Sequence, residues 1–335
     1  MPRKHQSEDS ILRKIADSAR PWKDGTGRSV TLGIGDDAAL FHPKPGYETI
    51  LTCDWFLEGT HFSRERHPPD AVGWKCVARA ISDIAAMGGA PRCFLLSLAL
   101  PESHTGRWLD VFFGGLRRAS RKFRCALAGG DTTRQNEILI NVTVVGEVRA
   151  GSAALRSGAR PGDILFVSGR LGGAELGLRL LKRDHKPPTL RNSVVRKHLY
   201  PEPRLALGQW LVKNGLVSAM MDLSDGLSSD LPRLCAASRV GVLLEEAKVP
   251  RLQMTDVAFK HVRDPLQFAL HGGDDYELLF TVHSRKVKRL PKTFQGVSVT
   301  AIGKITRRRE LLVLDESGET TQLMPCGWDP FRKKL

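Results

Sequence analysis

Aspartates recur at the ends of apolar runs, and this pattern constrains the fold more than any other feature of the chain. Apolar runs make buried strands or helices, and a neighbouring glycine lets the backbone approach a ligand closely. Carboxylates gathered at the ends of such elements repel one another unless a cation joins them. Mg²⁺ and Ca²⁺ prefer such oxygen ligands, and Mg²⁺ usually binds together with phosphates. The sequence therefore predicts a polyphosphate held through metal ions, around six segments: LGIGDD at 32–37, LTCD at 51–54, AISD at 80–83, LAGGDTT at 127–133, MDLSDG at 221–226 and LHGGDD at 270–275.

Length and charge set the broad class. A chain of 335 residues with 41% hydrophobic residues predicts about two domains, each with a sizeable core. The 51 basic and 36 acidic residues give a net charge of +15. The basic residues are scattered, and no nucleic-acid motif accompanies them. We therefore interpret them as a solvated surface that also steers phosphates.

Cysteine usage and the lack of a long apolar stretch indicate a cytoplasmic protein. The six cysteines, at 53, 76, 93, 125, 235 and 326, form no CxxC pair and no metal-finger spacing, which favours reduced thiols. Residues 1–10 lack the apolar core of a signal peptide. The longest apolar stretches have the length of a strand, so we expect no membrane span.

Alternating strand and helix patterns predict a mixed α/β domain over 1–148 and an α/β domain over 149–335. The stretch 150–162, rich in Gly, Ser, Ala and Arg, is the candidate boundary. Residues 182–192 are predicted to form a polar loop, because they are polar and contain two adjacent prolines. Helices are predicted over 11–20, 71–87, 106–122, 172–181, 203–214 and 227–238, and strands over 49–53, 93–100, 125–128, 138–148, 163–167, 219–222 and 278–282.

The first two acidic motifs each allow a plain interpretation beside the metal one. GIGDDA at 33–38 loosely matches a dinucleotide fingerprint, but two carboxylates in such a loop would oppose a pyrophosphate. A plain turn stays possible there, and a metal would make Asp36 or Asp37 a ligand. Asp83 lies in a predicted helix among apolar neighbours. A solvated helix face is the alternative, and metal ligation is favoured because a buried carboxylate needs a partner.

The later motifs also allow structural roles. Asp131 is expected after a strand, as a turn or capping residue, although the paired glycines favour a phosphate loop. Ser224 or Asp225 is expected to cap the helix that follows, which is compatible with ligand binding because helix N-termini attract phosphate. Taken alone, His61 is more typical of a surface residue and Trp328 of packing. Walker A and protein-kinase motifs do not occur in the sequence, so ATP chemistry would need another fold.

In this order and spacing, the motifs resemble the thiamine-monophosphate kinase family. That family belongs with aminoimidazole ribonucleotide synthetase and selenophosphate synthetase in one ATP-binding superfamily. The resemblance runs from about residue 32 to 328, so it covers nearly the whole chain. The segments that carry it are GIGDD, the TCD strand end followed by GTH, SDIAAMGG, GGDTT, LRSGARPGD, MDLSDGL and GGDDYEL.

The resemblance implies a two-domain α+β fold and a homodimer. The N-terminal domain would be an α/β-mixed dimerisation domain, and the C-terminal one an α/β domain of the aminoimidazole ribonucleotide synthetase-like type. ATP and several Mg²⁺ ions would lie between the two domains. The implied metal ligands are Asp37, Thr52, Cys53, Asp54, Asp83, Asp131, Asp222 and Asp225. The implied ATP contacts are Gly130, Asp131, Arg156 and Ser224, and the implied contacts to thiamine monophosphate are His61, Asp274 and Trp328.

Two residues depart from the family pattern. Cys53 stands where the family usually has threonine, so a side-chain oxygen ligand would be lost while the backbone carbonyl remains. Asp274 replaces glutamate in the family's GGED, which shortens the reach of this substrate contact by one methylene group. The expected reaction is a direct in-line transfer from ATP to thiamine monophosphate with Mg²⁺. No general base is expected, because a phosphate monoester with a second pKa of about 6 is largely dianionic at neutral pH.

Other functions stay open at this point. The nearest is another ATP-dependent synthetase of the same superfamily. Selenophosphate synthetase relatives carry a reactive cysteine in an N-terminal glycine-rich segment, and here no cysteine precedes Gly33. A hydrogenase-maturation relative would end in cysteine, whereas this sequence ends in RKKL. A basic nucleic-acid-binding protein with structural divalent ions is the alternative from a different class.

Overall fold

The computed structural model describes residues 13–14, 16–17, 29–34, 36–183, 193–252 and 264–331. Two compact units divide the chain: unit 1 is Met1–Ile84 with Gly89–Gly151, and unit 2 is Ala85–Gly88 with Ser152–Leu335. The predicted helix over 11–20 lies mostly outside the described residues, as does most of the predicted loop over 182–192. Within the described ranges, every helix is too short or too polar to cross a membrane.

Unit 1 is built around a four-stranded sheet. The order across this sheet is β3-β6-β4-β5, with β4 and β5 parallel and the other two pairs antiparallel. A small antiparallel pair, β1 and β2, precedes it. The elements are β1 (Val30–Leu32), β2 (Leu40–Phe41), β3 (Tyr47–Leu57), α1 (Pro69–Ala86), β4 (Ala90–Leu100), α2 (Arg107–Phe123), β5 (Ala126–Arg134) and β6 (Leu139–Arg149).

Helices α1 and α2 approach each other through glycine. A Cβ atom on Gly73 of α1 would overlap the carbonyl oxygen of Phe112, and one on Gly115 of α2 would overlap that of Asp70. Only glycine permits this close backbone approach. Helix α2 then ends at Arg124, which adopts the left-handed conformation (φ 54°) that closes many helices.

Unit 2 is built around a larger mixed sheet. Its order is β14-β13-β9-β12-β7-β10-β8, with β11 beside β12, and β13 with β9 is its parallel pair. The strands are β7 (Ile164–Ser168), β8 (Val217–Leu223), β9 (Gly241–Glu245), β10 (Glu277–Val282), β11 (Thr293–Phe294), β12 (Val297–Thr306), β13 (Leu311–Leu314) and β14 (Thr320–Gln322). The helices are α3 (Gly173–Arg183), α4 (Ser193–Leu199), α5 (Leu205–Lys213), α6 (Leu227–Ser238) and α7 (Pro265–His271).

Strands β7, β8 and β10 of unit 2 are covered on both faces. Leu165 and Val167 of β7 belong to an apolar core that includes Leu231 of α6. Phe166, on the opposite face of the same strand, belongs to a second core that includes Leu211 of α5. Because both faces are buried, these strands are nearly continuous apolar runs rather than alternating ones.

The sequence-based elements agree with the structure over most of their length, with two kinds of difference. The predicted strand at 125–128 continues to Arg134, so the GGDTT segment lies inside β5 rather than in a loop. No elements were predicted at 193–199, 241–245, 265–271, 297–306 or 311–314, where the structure has α4, β9, α7, β12 and β13. Most of these elements are short, so they offer few turns or alternations from which a period can be read.

Candidate functional site

Strand β3 presents oxygen atoms to helix α1. Side chains alternate along a strand, so Thr52 and Asp54 share one face. The hydroxyl of Thr52 donates a hydrogen bond to Oδ2 of Asp83 in α1. Arg79 lies one helical turn before Asp83, and its Nε is 4.0 Å from Oδ2 of Asp54. Three of the predicted metal ligands therefore lie at one strand–helix contact.

These oxygen atoms are chemically suitable ligands for a hard divalent cation. Hydroxyl and carboxylate oxygens are the ligands that Mg²⁺ prefers. Over the described ranges, no group of three or more His, Cys, Asp and Glu side chains is close enough to hold a metal by itself. The predicted aspartates are thus distributed in small sets over both units.

The side chain of Cys53 faces away from that set. It is exposed, and its Sγ accepts a hydrogen bond from Nδ2 of Asn141 on the neighbouring strand (3.1 Å). Because Cys53 lies between Thr52 and Asp54, alternation places its thiol on the opposite face of the sheet. Only its backbone carbonyl could join the ligands of the Thr52 face.

Gly130 and Asp131 lie within a strand, so the loop expected for them was wrong. Asp131 is exposed and pairs with Ser97 of β4, whereas Gly130 pairs with Leu96. Gly130 has φ 155°, and a Cβ atom there would overlap the carbonyl oxygen of Leu96. Gly130 therefore permits close contact between the two strands, so glycine is needed there without a turn.

Register separates Asp131 from Asp54. Asp131 lies in the row that contains Ser97 and Asn141, and Asp54 lies in the next row, with Val142. Neighbouring rows of a pleated sheet alternate between faces. The sheet of unit 1 thus presents these two predicted metal ligands on opposite faces.

Three further predicted residues lie elsewhere. Asp37 is exposed, and its backbone N–H donates to Oδ1 of Asp36 (2.9 Å). His61 follows β3, and its Nδ1 accepts a hydrogen bond from the backbone N–H of Leu57 (3.0 Å). Arg156 has an exposed side chain in unit 2, and its carbonyl accepts a hydrogen bond from the Ser238 hydroxyl (2.8 Å).

In unit 2, three distant segments meet at the end of strand β8. The backbone N–H of Asp274 donates to the carbonyl of Ser224 (2.8 Å), and that of Trp328 donates to the carbonyl of Asp225 (2.9 Å). A Cβ atom on Gly327 would overlap the Asp225 carbonyl, so glycine is required beside the tryptophan. Backbone hydrogen bonds therefore join the nucleotide loop (Ser224 and Asp225) to two predicted substrate contacts, Asp274 and Trp328.

Asp274 is held in an uncommon conformation. It has φ 66°, in the left-handed region that few side chains adopt. The buried Tyr276 donates a hydrogen bond from its hydroxyl to Oδ1 of Asp274 (2.7 Å), and Nδ1 of His198 is 3.8 Å from Oδ2. Both oxygens of this short carboxylate thus have a polar neighbour.

Helix α6 does not use the cap that the sequence suggested. Its N-cap is Gly226, which makes no side-chain cap bond. The fully buried Asp230 instead accepts the backbone N–H groups of Ser224, Asp225 and Gly226 on Oδ2, at 3.1, 3.0 and 3.2 Å. The expectation that Ser224 or Asp225 caps the helix was wrong, because a residue in the first turn reaches back over the loop.

Burial raises the pKa of Asp230 to about 6, and the neighbouring charge of Asp225 adds to this rise. The loop N–H groups and Arg233 oppose it. Nη1 of Arg233 donates to Oδ1 of Asp230 (2.7 Å) and to Oδ2 of Asp225 (2.6 Å). One guanidinium thus joins two carboxylates at the start of the helix.

A buried charge network lies directly beside the Asp274 segment, and sequence analysis missed it. Glu277 is 1% exposed and binds Arg204 through both oxygens (2.7 and 2.6 Å) and the Ser168 hydroxyl (2.7 Å). Asp275 accepts the backbone N–H of Gly172 (2.5 Å), just before α3. Burial by itself would raise the pKa of Glu277, but the hydrogen bonds and charges of Arg204 and Lys197 hold it below its usual value. The acidic run at 274–277 was the available signal.

Known families match both units. The N-terminal domain of AIR synthase related proteins matches residues 35–148, and the C-terminal domain of the same group matches residues 160–315. A thiamine-monophosphate kinase of Bacillus subtilis (strain 168) is 34% identical and covers 91% of this chain and 94% of its own length. The enzyme of that name from Escherichia coli (strain K12) is 35% identical and covers 97% and 98%.

Solved structures agree with these relatives. Thiamine-monophosphate kinase from Stenotrophomonas maltophilia K279a aligns with a TM-score of 0.78 at 33% identity, covering 93% of this chain and 96% of its own. AaThiL complexed with AMPPCP and TMP aligns at 0.76 with 31% identity, covering 99% of each chain. Hydrogenase maturation protein HypE from E. coli, at 18% identity, covers 95% of this chain and 97% of its own with a TM-score of 0.73, and shares the fold alone.

These matches confirm the two-domain α+β architecture that the sequence predicted. The family models cover most of the chain, and the named relatives exceed 30% identity over nearly their full length. The chain therefore belongs to the thiamine-monophosphate kinase family of AIR synthase related proteins, a family of kinase enzymes.

Proposed function

We propose that the chain transfers the terminal phosphoryl group of ATP to thiamine monophosphate, producing ADP and thiamine diphosphate. The observation that carries this proposal is the meeting of Ser224 and Asp225 with Asp274 and Trp328 at the end of β8. A kinase must hold donor and acceptor side by side, and here the segments proposed for each are tied by backbone hydrogen bonds. The relative solved with AMPPCP and TMP supports the same pair of substrates.

Nucleotide and acceptor are assigned to different residues. Gly130, Asp131, Arg156 and Ser224 contact ATP, and His61, Asp274 and Trp328 contact thiamine monophosphate. Trp328 is 41% exposed, so part of its surface is open to a ligand. Stacking on the cationic thiazolium would contribute about 0.5–2 kcal/mol.

The proposed magnesium ligands come from both units. Thr52, Asp54 and Asp83 would bind at the β3–α1 contact, Cys53 through its carbonyl, and Asp37, Asp131, Asp222 and Asp225 at the other positions. Bound Mg²⁺ would neutralise the phosphates and stabilise charge on the group in transfer. Asp222 is well placed for such a role, since it is 5% exposed at the end of β8 beside the nucleotide loop.

No side chain needs to act as a general base. The accepting phosphate is already largely dianionic near neutral pH, with a second pKa of about 6. Nδ1 of His61 is engaged by the backbone N–H of Leu57, which suits a positioning role. Direct transfer follows, and a protein-bound ³²P intermediate that is chased into product would contradict it.

The assay that tests the function measures ATP consumption with thiamine, thiamine monophosphate and aminoimidazole-pathway substrates in parallel. Only thiamine monophosphate is expected to support turnover. Turnover with another acceptor alone would favour a different synthetase of the superfamily. Binding of DNA or RNA that weakens with salt, without ATP turnover, would favour the nucleic-acid alternative.

Substitution of Trp328 tests the acceptor site. Trp328→Ala is expected to raise the KM for thiamine monophosphate about two- to thirtyfold, the ratio that corresponds to the stacking energy, with little change for ATP. Phe331→Ala is the matched control, because Phe331 is an aromatic residue of the same segment with 94% exposure. Equal increases of KM for both substrates would show that Trp328 is not part of the acceptor site.

A homodimer through unit 1 is the second part of the proposal. One face of the four-stranded sheet carries exposed apolar side chains: Leu51 is 70% exposed, Trp55 54% and Leu95 41%. Exposed apolar patches of this kind mark interaction sites. A second copy of the same face would cover them, and both copies would gain equally because a twofold interface is self-complementary.

Leu51→Glu tests the dimer. It would bury a charge in the interface, so we expect sedimentation to change from dimer to monomer. Val111→Glu is the control, because it adds the same charge at another exposed apolar position of unit 1, on helix α2 (38% exposed). A monomeric parent chain, or a dimer in both variants, would overturn this assignment.

We place the protein in the cytoplasm. The six cysteines are free thiols in the structure, as is usual where glutathione keeps thiols reduced. ATP is also available in that compartment. Cell fractionation with an epitope-labelled chain checks this placement.

A further inference from the structure

We propose that Asp230 is the positioning residue that orients the peptide planes of the loop 224–226. This inference rests on the proposed function, because it assigns to Asp230 the geometry with which the loop binds nucleotide and metal and connects to the acceptor residues. Asp230 itself contacts neither substrate, and nothing above gives it a role in the reaction.

Three backbone N–H groups converge on one oxygen atom of Asp230. Oδ2 of Asp230 receives the N–H groups of Ser224, Asp225 and Gly226 within 3.0–3.2 Å. Successive N–H groups that point into one concavity form an anion site. Here the anion is the protein's own carboxylate, so these three N–H groups are not available to a phosphate.

Peptide geometry fixes the direction of the loop carbonyls once the N–H groups are held. In a planar trans peptide the C=O points opposite to the N–H. The N–H of Asp225 points inward to Asp230, so the carbonyl of Ser224 points outward, where the Asp274 N–H binds it at 2.8 Å. In the same way, the N–H of Gly226 points inward, and the Asp225 carbonyl binds the Trp328 N–H at 2.9 Å. One carboxylate thus sets the direction of both carbonyls that hold the acceptor segments.

The charge of Arg233 also holds the Asp230 side chain in place. Asp230 is completely buried, and Nη1 of Arg233 is 2.7 Å from its Oδ1 and 2.6 Å from Oδ2 of Asp225. A buried carboxylate with four donors is fixed in direction, because each donor would lose its partner if the side chain turned. Asp230 and Arg233 therefore fix the backbone of the loop and the side chain of Asp225 together.

The experiment compares Asp230→Asn with a control that has the same local role. In Asp230→Asn, one oxygen can still accept backbone N–H groups, but the amide NH₂ is directed at the Arg233 guanidinium, donor against donor. The control is Asp315→Asn. Asp315 receives the N–H groups of Ser317 and Glu319 (2.9 Å each) on one oxygen, in a surface turn of unit 2.

Three measurements are made well below the melting temperature of each variant: affinity for AMPPCP with Mg²⁺ by calorimetry, the KM of each substrate, and amide exchange at 224–226. Asp230→Asn is expected to weaken AMPPCP binding about ten- to hundredfold, the loss typical when a residue that hydrogen-bonds to a ligand-binding group is substituted. It is also expected to raise both KM values, unlike Trp328→Ala, and to speed exchange of the three amides. Asp315→Asn is expected to leave all three unchanged.

The outcomes separate this inference from the proposed function. A parent chain that binds AMPPCP but does not phosphorylate thiamine monophosphate ends the proposed function, while the calorimetry still decides the role of Asp230. If the AMPPCP affinity and both KM values of Asp230→Asn lie within twofold of the parent values, the inference is overturned. If the variant does not fold, exchange in the parent chain decides: amides at 224–226 that exchange at the unfolded rate overturn the inference, and protected amides support it.

Discussion

Replacing Arg204 by methionine would remove the main partner of a buried carboxylate. Glu277 is 1% exposed and receives Nε and Nη2 of Arg204 at 2.7 and 2.6 Å, the Ser168 hydroxyl at 2.7 Å, and Nζ of Lys197 at 3.5 Å. Breaking a buried ion pair by removing one partner costs about 3–5 kcal/mol. Because Lys197 remains, we expect Arg204→Met to lower the free energy of unfolding of unit 2 by about 3 kcal/mol, the lower end of that range.

The loss of unfolding free energy caused by Arg204→Met should depend on pH in a definite direction. In the parent chain the pKa of Glu277 lies below its usual value, so its ionised form stabilises the fold above the unfolded pKa of about 4.3, and that stabilisation is lost as pH falls through the folded pKa. Without Arg204, burial dominates and the pKa rises. The variant's disadvantage should therefore be largest near pH 7 and shrink as pH approaches 4, because a protonated Glu277 is easier to bury.

Amide exchange along β10, compared between parent and variant from pH 7 to 4.5, measures this cost. It reports on unit 2 alone, whereas denaturant unfolding of a chain with two compact units need not be two-state. Arg251→Met is the matched control, since Arg251 pairs with the 68% exposed Glu316, and such exposed pairs contribute about 0.2–1 kcal/mol. Equal losses of unfolding free energy in both variants, or a loss in Arg204→Met that does not change with pH, would refute this role of Arg204.

Other features of the structure give further predictions. Tyr276→Phe removes the hydroxyl that binds Asp274, so we expect the KM for thiamine monophosphate to rise about tenfold, with the ATP value unchanged. Tyr47→Phe is the control in steady-state kinetics. Gly130→Ala places a Cβ against the Leu96 carbonyl at φ 155°, so we expect a lower melting temperature. An unchanged melting temperature would contradict this contact. Finally, thiol titration of the monomeric Leu51→Glu variant at pH 8 should modify only the exposed Cys53 and Cys326. Burial raises the pKa of the other four thiols: to about 12 for Cys76 and Cys235, to about 11 for Cys93, and well above its usual value for Cys125.

Local patterns predicted elements with long apolar runs, and failed where tertiary contact gave a residue its role. Helix α6 was predicted over the bounds it has, because its apolar residues recur with helical spacing up to Ser238. The glycines before Asp131 suggested a turn, since a glycine pair is a common turn signal. In the structure Gly130 instead makes room for a neighbouring strand, which no local pattern reveals.

The same limit applies to the candidate site. Ser224, Asp225 and Asp274 could be named from their motifs, because each lies in a short Asp- and Gly-containing segment near the end of an element. Trp328 was named only through the family resemblance. Asp230 lies inside the predicted helix over 227–238, and the sequence analysis did not name it. Its function depends on a loop that folds back over it, and that is a three-dimensional fact rather than a spacing.

The strand order of unit 2 has a consequence for synthesis on the ribosome. Val167 of β7 pairs with Leu279 on one side and Thr300 on the other, both far later in the chain. A nascent chain that has passed β7 must therefore keep this apolar segment unpaired until β10 and β12 emerge. Such late, non-local closure slows folding and favours aggregation. We expect a chaperone that binds nascent chains to crosslink to residues 164–168 of stalled chains that end near residue 270, and to release them once residue 306 has emerged from the ribosome.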